Sequence, residues 1–313
     1  MLVQKRATGY TVHAPAKLNL FFEVRQRRDD GFHEIETLMV PVSLFDTLHL
    51  RSRSRQSEET TAGPIQFSCR NVYVGADSED PHRLVPSDSS NLVVRAVELL
   101  RERAGVEASA EIELIKRIPA AGGLGGGSSD AAAALLAANA AWDLNWSRSR
   151  LAELSAELGS DIPFFFGHGA AVCRGRGEVI EPLAGLGDQH AVIIAPSIGL
   201  STAEVYSRVE VPAQPQEVGP YIESLRGSVR AGKSASDDRP RLYNALQQAA
   251  EGITPWIDRL RSEMNQTGCR DHQLTGSGSS YFGLFRHARQ ARRAARQLQA
   301  RELGRVFVVR TAA

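Results

Sequence analysis

Five glycines fall within six residues, Gly122, Gly123, Gly125, Gly126 and Gly127, and an alanine-rich segment over 131–141 follows almost at once. Glycine adopts backbone conformations closed to other residues and removes the side chains that would hold a ligand off the main chain. Alanine then builds helix readily. The segment before the loop, 110–118, alternates apolar and polar residues as a strand does. The order is therefore strand, glycine loop, helix, which leaves several backbone N–H groups free at the positive end of a helix dipole. Such a place binds anions, phosphate above all. A mobile Gly/Ser linker is the other reading of such a run, but linkers seldom join a good strand to a good helix. Ser128, Ser129 and Asp130 stand where a helix cap is expected. Ser128 rather than Lys follows Gly127, so the run is not a P-loop, and the third glycine of the dinucleotide-binding fingerprint is missing.

At 313 residues and 42% hydrophobic, the chain can bury a large core and favours two domains. A glycine-rich stretch over 183–188 marks the expected boundary, giving units 1–185 and 186–313. Lys and Arg number 37 against 36 Asp and Glu, which speaks against nucleic acid or a membrane as the main partner and for a small molecule. Cys69, Cys173 and Cys269 are too scattered for a zinc site and predict reduced thiols. No apolar signal core opens the chain and no span reaches membrane length, so a cytoplasmic location is expected.

Along the chain, 11–24 reads as a strand pair with Lys17 and Asn19 on one alternating, otherwise apolar face. Lys17 is either an edge-strand gatekeeper with its head in water or a cation aimed at an anion in a cleft. A turn cornered on Asp30 and Gly31 presents Phe32 and His33 side by side, and a strand follows over 34–42. Polar, irregular sequence over 51–90 predicts a surface excursion, broken by a short apolar-leaning run at 65–74. Helical period returns at 91–101, with Ser89 or Ser90 as cap, and again at 147–158. Asp161 lies between a glycine turn and an apolar run, as either a helix cap or a carboxylate at the rim of a closed site. The remainder predicts a strand and turn over 169–178, a buried strand at 190–195 and a capped helix from Ser201. A charged connector over 227–240 follows, then helices from Asn244. A second small-residue loop within 274–285 enters a strand, and helix 287–303 with strand 306–309 completes a β-α-β unit. The arginine-rich face of that helix reads as solvated surface. A phosphate cradle, a cation, a carboxylate and two ring contacts are what phosphoryl transfer to an alcohol needs.

These residues also carry a family resemblance. Residues 119–132 resemble the second signature of the GHMP kinases, and 274–278 the third. Within that superfamily 15–20, 30–33, 159–164 and 201–206 resemble the branch acting on a cytidine diphosphate-linked methylerythritol, and the likeness spans nearly the whole chain. The resemblance implies an α+β GHMP kinase fold, with an N-terminal domain like ribosomal S5 domain 2 and a ferredoxin-like C-terminal domain. It also implies ATP and Mg2+ as cofactors and phosphorylation of the substrate's 2-hydroxyl in the non-mevalonate route to isoprenoid precursors. By the same resemblance Asp161 is the base and Lys17 its charge partner. Pro119, Ala120, Ala121, Gly122, Gly123, Leu124, Gly125, Gly126, Gly127, Ser128 and Ser129 form the ATP loop, with Asn91 near the adenine. Asn19, His33, Thr202, Tyr206, Gly276 and Gly278 face the substrate, and Ser129 is a candidate on the metal side. The expected assembly is a monomer or homodimer. Three departures stand out: Phe32 replaces a usual Tyr, Ala245 stands where an acid is common, and 51–90 is longer than usual.

Overall fold

The computed structural model describes residues 1–53, 64–72, 85–230 and 242–312. Its spine is a long antiparallel hairpin of β2 (Gly9–Arg27) and β3 (His33–Arg53), preceded by β1 (Val3–Arg6), which pairs with β2. The expected strand pair over 11–24 is thus one continuous strand. Register shifts at Pro15/Ala16, Asn19/Phe21 and Val24/Gln26 break its ladder; Pro15 has no N–H to give at the first of them. The hairpin turns where predicted, with Gly31 at φ 84 and Arg28 N donating to Phe32 O at 2.8 Å.

The far half of β3 pairs with β5 (Ser109–Lys116), and β5 pairs in parallel with β4 (Ile65–Asn71). The apolar-leaning run is therefore an edge strand of the sheet and not part of a loop. The rest of the polar stretch, 54–63 and 73–84, lies outside the described residues. The near half of β3 pairs with β6 (Ala171–Gly175), which carries β7 (Val179–Pro182).

Helices α1 (Leu92–Ala104), α2 (Gly126–Ala141) and α3 (Arg148–Ser155) cover one face of this sheet. Asn91, and neither Ser89 nor Ser90, caps α1, accepting from Val93 N. Helix α2 starts earlier than its serines suggest. Gly125, at φ 69, is the N-cap, and Ser128, Ser129 and Asp130 lie inside the first turns with no side-chain cap bond. Every residue from Ala131 to Ala138 is buried, so the helix is apolar all round and packs between the sheet and α1. Bulkier side chains would hold it away.

The second sheet, ordered β10-β11-β8-β12, comprises β8 (His190–Ala195), β10 (Asp271–Leu274), β11 (Tyr281–Phe285) and β12 (Arg305–Arg310), all antiparallel neighbours. Strands β11 and β12 flank β8, and α8 (Ala288–Gln299) crosses between them, burying Ala291, Ala294, Ala295 and Leu298. This split β-α-β is the ferredoxin-like arrangement. Between β8 and β10 run α4 (Thr202–Ser207), α5 (Val218–Arg230), α6 (Leu246–Glu251) and α7 (Trp256–Asn265). The connector predicted at 227–240 begins inside α5, and 231–241 lie outside the described residues. Before α6 the chain crosses back as β9 (Tyr243–Asn244), pairing with β2 of the first sheet. One hydrophobic cluster joins the two sheets, with Leu18, Phe21 and Val40 from the first against Ile193, Phe282 and Val309 from the second. No helix among the described residues is long and apolar enough to cross a membrane.

Candidate active site

The glycine loop lies where both halves of the chain meet. Its carbonyls are held: Lys17 N donates to Leu124 O at 2.9 Å, Ser280 N to Gly122 O at 3.2 Å and the Thr275 hydroxyl to Gly123 O at 3.3 Å. Its amides are not. From Gly123 to Ser128 no backbone N–H has a hydrogen-bond partner among the described residues. A loop pinned by its carbonyls with its donors free is preorganised for an anion. Two glycines are obligatory for that shape. At Gly123, φ 71, a Cβ would meet Thr275 O at 2.1 Å, and at Gly125 it would meet Lys17 Cγ and the Phe165 ring at 2.9 Å. Around Gly127 nothing lies within 4 Å of a Cβ position, so the loop opens to free space there.

Lys17 leaves β2 beneath the loop. It is buried, and its ammonium donates to Asn19 Oδ1 at 2.6 Å. Desolvation pushes its pKa down and the Asp161 carboxylate partly opposes this. It is therefore no edge gatekeeper. Asn19 is held in turn, donating to the Thr37 hydroxyl at 2.8 Å, while Thr275 Oγ1 lies 3.3 Å from its Oδ1. Asp161 stands just before the 3-10 turn Pro163–Phe166, whose N-cap is Ile162, so its carboxylate caps nothing. That carboxylate has no hydrogen-bond partner among the described residues and faces Gly177, where a Cβ would approach Oδ1 to 3.1 Å. Its charge is felt around the site. Burial and Asp161 together raise the Tyr206 phenol, and burial with Asp161 pushes the Cys173 thiol up to about 12.

One cleft of about 1010 Å³ takes in Lys17, His33, Gly123, Gly125, Ser128, Asp161, Thr202, Tyr206, Gly276 and Gly278. His33 from the hairpin and Tyr206 from α4 face each other with ring centroids 5.2 Å apart. Thr202 and Ser277 share a hydrogen bond of 2.9 Å. At Gly276, φ 55, a Cβ would come within 3.3 Å of Lys17 Nζ, so glycine leaves the ammonium its place there.

Of the expected loop residues Ala121, Gly123, Gly125 and Ser128 line the cleft, whereas Pro119, Ala120, Gly122, Leu124, Gly126 and Gly127 do not, and neither do Asn19, Ser129 and Asn91. Asn19 is buried behind Lys17. Ser129 is fully buried with an unpartnered hydroxyl, while its neighbour Ser128 lines the cleft. Asn91 is committed to the α1 cap and also donates to Pro86 O at 2.6 Å, leaving Leu92 as the cleft residue.

Two other participants were not among the expected site residues. Asn244 donates to both Leu274 O and Gly276 O at 2.9 Å, fixing the second small-residue loop from a strand of the first sheet. Arg176, on a turn between two positive-φ glycines, lines the cleft with its guanidinium 4.9 Å over the Phe32 ring. The Gly-Arg-Gly run of 175–177 is the one hint of it in the sequence.

Residues 91–169 match the GHMP kinases N terminal domain and residues 224–302 the GHMP kinases C terminal family. The 4-diphosphocytidyl-2-C-methyl-D-erythritol kinase of Rhodopirellula baltica is 36% identical, over 93% of this chain and 91% of its own. The enzyme of that name from Pelotomaculum thermopropionicum is 37% identical, over 96% and 97%. A crystal structure of 4-(cytidine 5'-diphospho)-2C-methyl-D-erythritol kinase superposes with a TM-score of 0.77 at 35% identity, covering 97% of this chain and 99% of that one. The homoserine kinase from Cytophaga hutchinsonii, at 18% identity and a TM-score of 0.64, shares the fold. The likeness covers more than nine-tenths of the chain, and by it the chain belongs to the 4-diphosphocytidyl-2-C-methyl-D-erythritol kinase family of GHMP kinases.

Proposed function

We propose that the protein transfers the γ-phosphoryl group of ATP to the 2-hydroxyl of 4-diphosphocytidyl-2-C-methyl-D-erythritol, a step toward isoprenoid precursors. The observation that carries this is the sharing of one cleft by the free loop amides, the Lys17–Asp161 pair and the His33–Tyr206 rings. The amides of 123–128 receive the phosphates at the mouth of α2. The His33 and Tyr206 rings bracket the cytosine. Asp161, whose carboxylate has no hydrogen-bond partner among the described residues, accepts the hydroxyl proton as that oxygen attacks the γ-phosphorus and the bond to the β-phosphate oxygen breaks, releasing ADP. Lys17 offsets the charge that gathers between carboxylate and phosphoryl group, and Asn19 and Thr275 aim it. In this reading residues 1–185 hold ATP and 186–313 close the substrate side.

Magnesium fits the residues present. Among the described residues no group of three or more His, Cys, Asp or Glu side chains could form a protein cage. Mg2+ characteristically takes one or two protein oxygens with water and substrate phosphates. Ser128 is the loop hydroxyl on the cleft wall and would hold the ion, in preference to the buried Ser129. When bound, the ion neutralises charge on the transferring phosphates.

The test is a phosphotransfer assay with ATP and magnesium on the cytidylylated alcohol beside homoserine and mevalonate. Transfer to the first alone is expected; none to it, or transfer to either of the others at a matching rate, removes the assignment.

A further inference from the structure

Directly beneath the phosphate loop lies a group of three buried ionisable side chains that the chemistry above does not use; burial, and then Asp46, push the Asp130 carboxyl up, against the pull of Lys116. Lys116, the last residue of β5, sends its ammonium to Asp46 of β3 and to Asp130 of α2, the latter at 2.6 Å, and all three side chains are almost wholly buried. Burial opposes the Lys116 charge, but Asp130 and Asp46 outweigh it and the net shift is upward. Asp46 grips the backbone as well, since its other oxygen accepts the N–H groups of Arg117 and Ile118, the Ile118 bond being 2.8 Å. Those two residues lead the chain into the loop. Asp130 lies one turn past the loop's exit. At the exit itself, Gly126 leaves room for the ammonium, because a Cβ there would come within 3.1 Å of Lys116 Nζ.

Between entry and exit the loop's own amides have no hydrogen-bond partner among the described residues, so its span is set from below and from its carbonyls. A helix start and a strand end held by neutral contacts alone could drift apart by fractions of an ångström. Bonds from an ammonium to two buried carboxylates resist that drift, because breaking one strands a charge in a dry interior. We propose that Lys116 is a positioning residue for the nucleotide. With Asp46 and Asp130 it ties the strand that enters the phosphate loop to the helix that leaves it, fixing the spacing of the free amides before ATP arrives. The proposal rests on the reading of this loop as the ATP site.

The clamp touches the loop and neither His33 nor Tyr206, so its loss should divide the two substrates. Lys116→Met, and separately Asp130→Ala, are compared with the wild-type protein by calorimetric titration of ATP with magnesium, by KM for each substrate and by thermal unfolding. The expected result is an ATP Kd and KM raised by at least about tenfold, with the KM for the cytidylylated alcohol within about twofold. A folded variant that binds ATP as the wild type does, or one whose two KM values rise together, overturns the clamp. Should Lys116→Met fail to fold, Asp130→Ala, which keeps the cation and its bond to Asp46, decides by the same split. A wild-type protein that does not bind ATP overturns the reading of the loop and the clamp with it; wild-type binding matched by both variants overturns the clamp alone.

Discussion

A carboxylate beside a polar turn has many uses, and Asp161 stands apart through what it lacks. It does not cap the 3-10 turn, and among the described residues it pairs with no cation at contact distance, which leaves it free to take a proton. Asp161→Asn keeps the shape and removes the base; kcat should fall by about 10²–10⁴-fold with ATP affinity unchanged. A variant with near-normal turnover in a steady-state assay would end that role. His33 yields a pH prediction. Burial and the nearby Arg27 hold its imidazole below the ordinary value of 6.5, so the folded protein resists a proton that the unfolded chain accepts. Its contribution to stability is present above that value and is lost as pH falls through the folded one. Urea midpoints taken between pH 7 and pH 5 should therefore drop less in His33→Gln than in the wild type. The sequence showed Lys17, Asp161 and His33 as candidates because each interrupts a regular pattern. It could not show Arg176 in the same cleft or Asn244 behind the loop that carries Gly276, since their contacts are made across long stretches of chain.

At the scale of elements, the loop and α2 were the most legible part of the molecule. Five glycines before a run of alanines leave few alternatives, and strand, loop and helix are all found. The cap was misplaced because Ser128, Ser129 and Asp130 look like cap residues, whereas a left-handed Gly125 lets the helix begin four residues earlier than a cap at Ser129 would. Strand β4 was missed for a related reason: an edge strand with alternate residues in solvent lacks the apolar run that marks a buried one. Two glycines of the loop now give opposite expectations. Gly123→Ala sets a Cβ 2.1 Å from Thr275 O at a positive φ and should cost well over 1 kcal/mol of stability by denaturant titration. Gly127→Ala meets nothing and gains helix propensity, up to about 1 kcal/mol. Its methyl group occupies the space left to the phosphates, so the same protein should unfold later and bind ATP more weakly. Equal ATP affinity in calorimetry would place the phosphates elsewhere.

At the scale of the whole molecule, the site exists because the chain returns to its first sheet. Strand β9 brings Asn244 alongside β2, and from there it holds the loop that carries Gly276 while accepting from Leu246 N at 2.9 Å. Asn244→Ala removes three buried hydrogen bonds and should destabilise the protein by about 3 kcal/mol, read as a lowered urea midpoint. Turnover should fall as well, because Lys17 loses the fixed backbone of Gly276 beside it. Length and the glycine-rich stretch at 183–188 suggest two units, but the cluster that joins the two sheets was not legible. Leu18 and Ile193 are both simply apolar, and nothing local says that they belong to one cluster.

That union decides what can be taken apart. Leu18, Phe21 and Val40 meet Ile193, Phe282 and Val309 in a seam that neither polypeptide half could seal by itself. Severed near residue 186, the two pieces would each bare a greasy flank and fall out of solution when made singly. Produced together in the same cell, they should find each other and recover the enzyme, a split pair whose reassembly can be followed by the phosphorylation it restores.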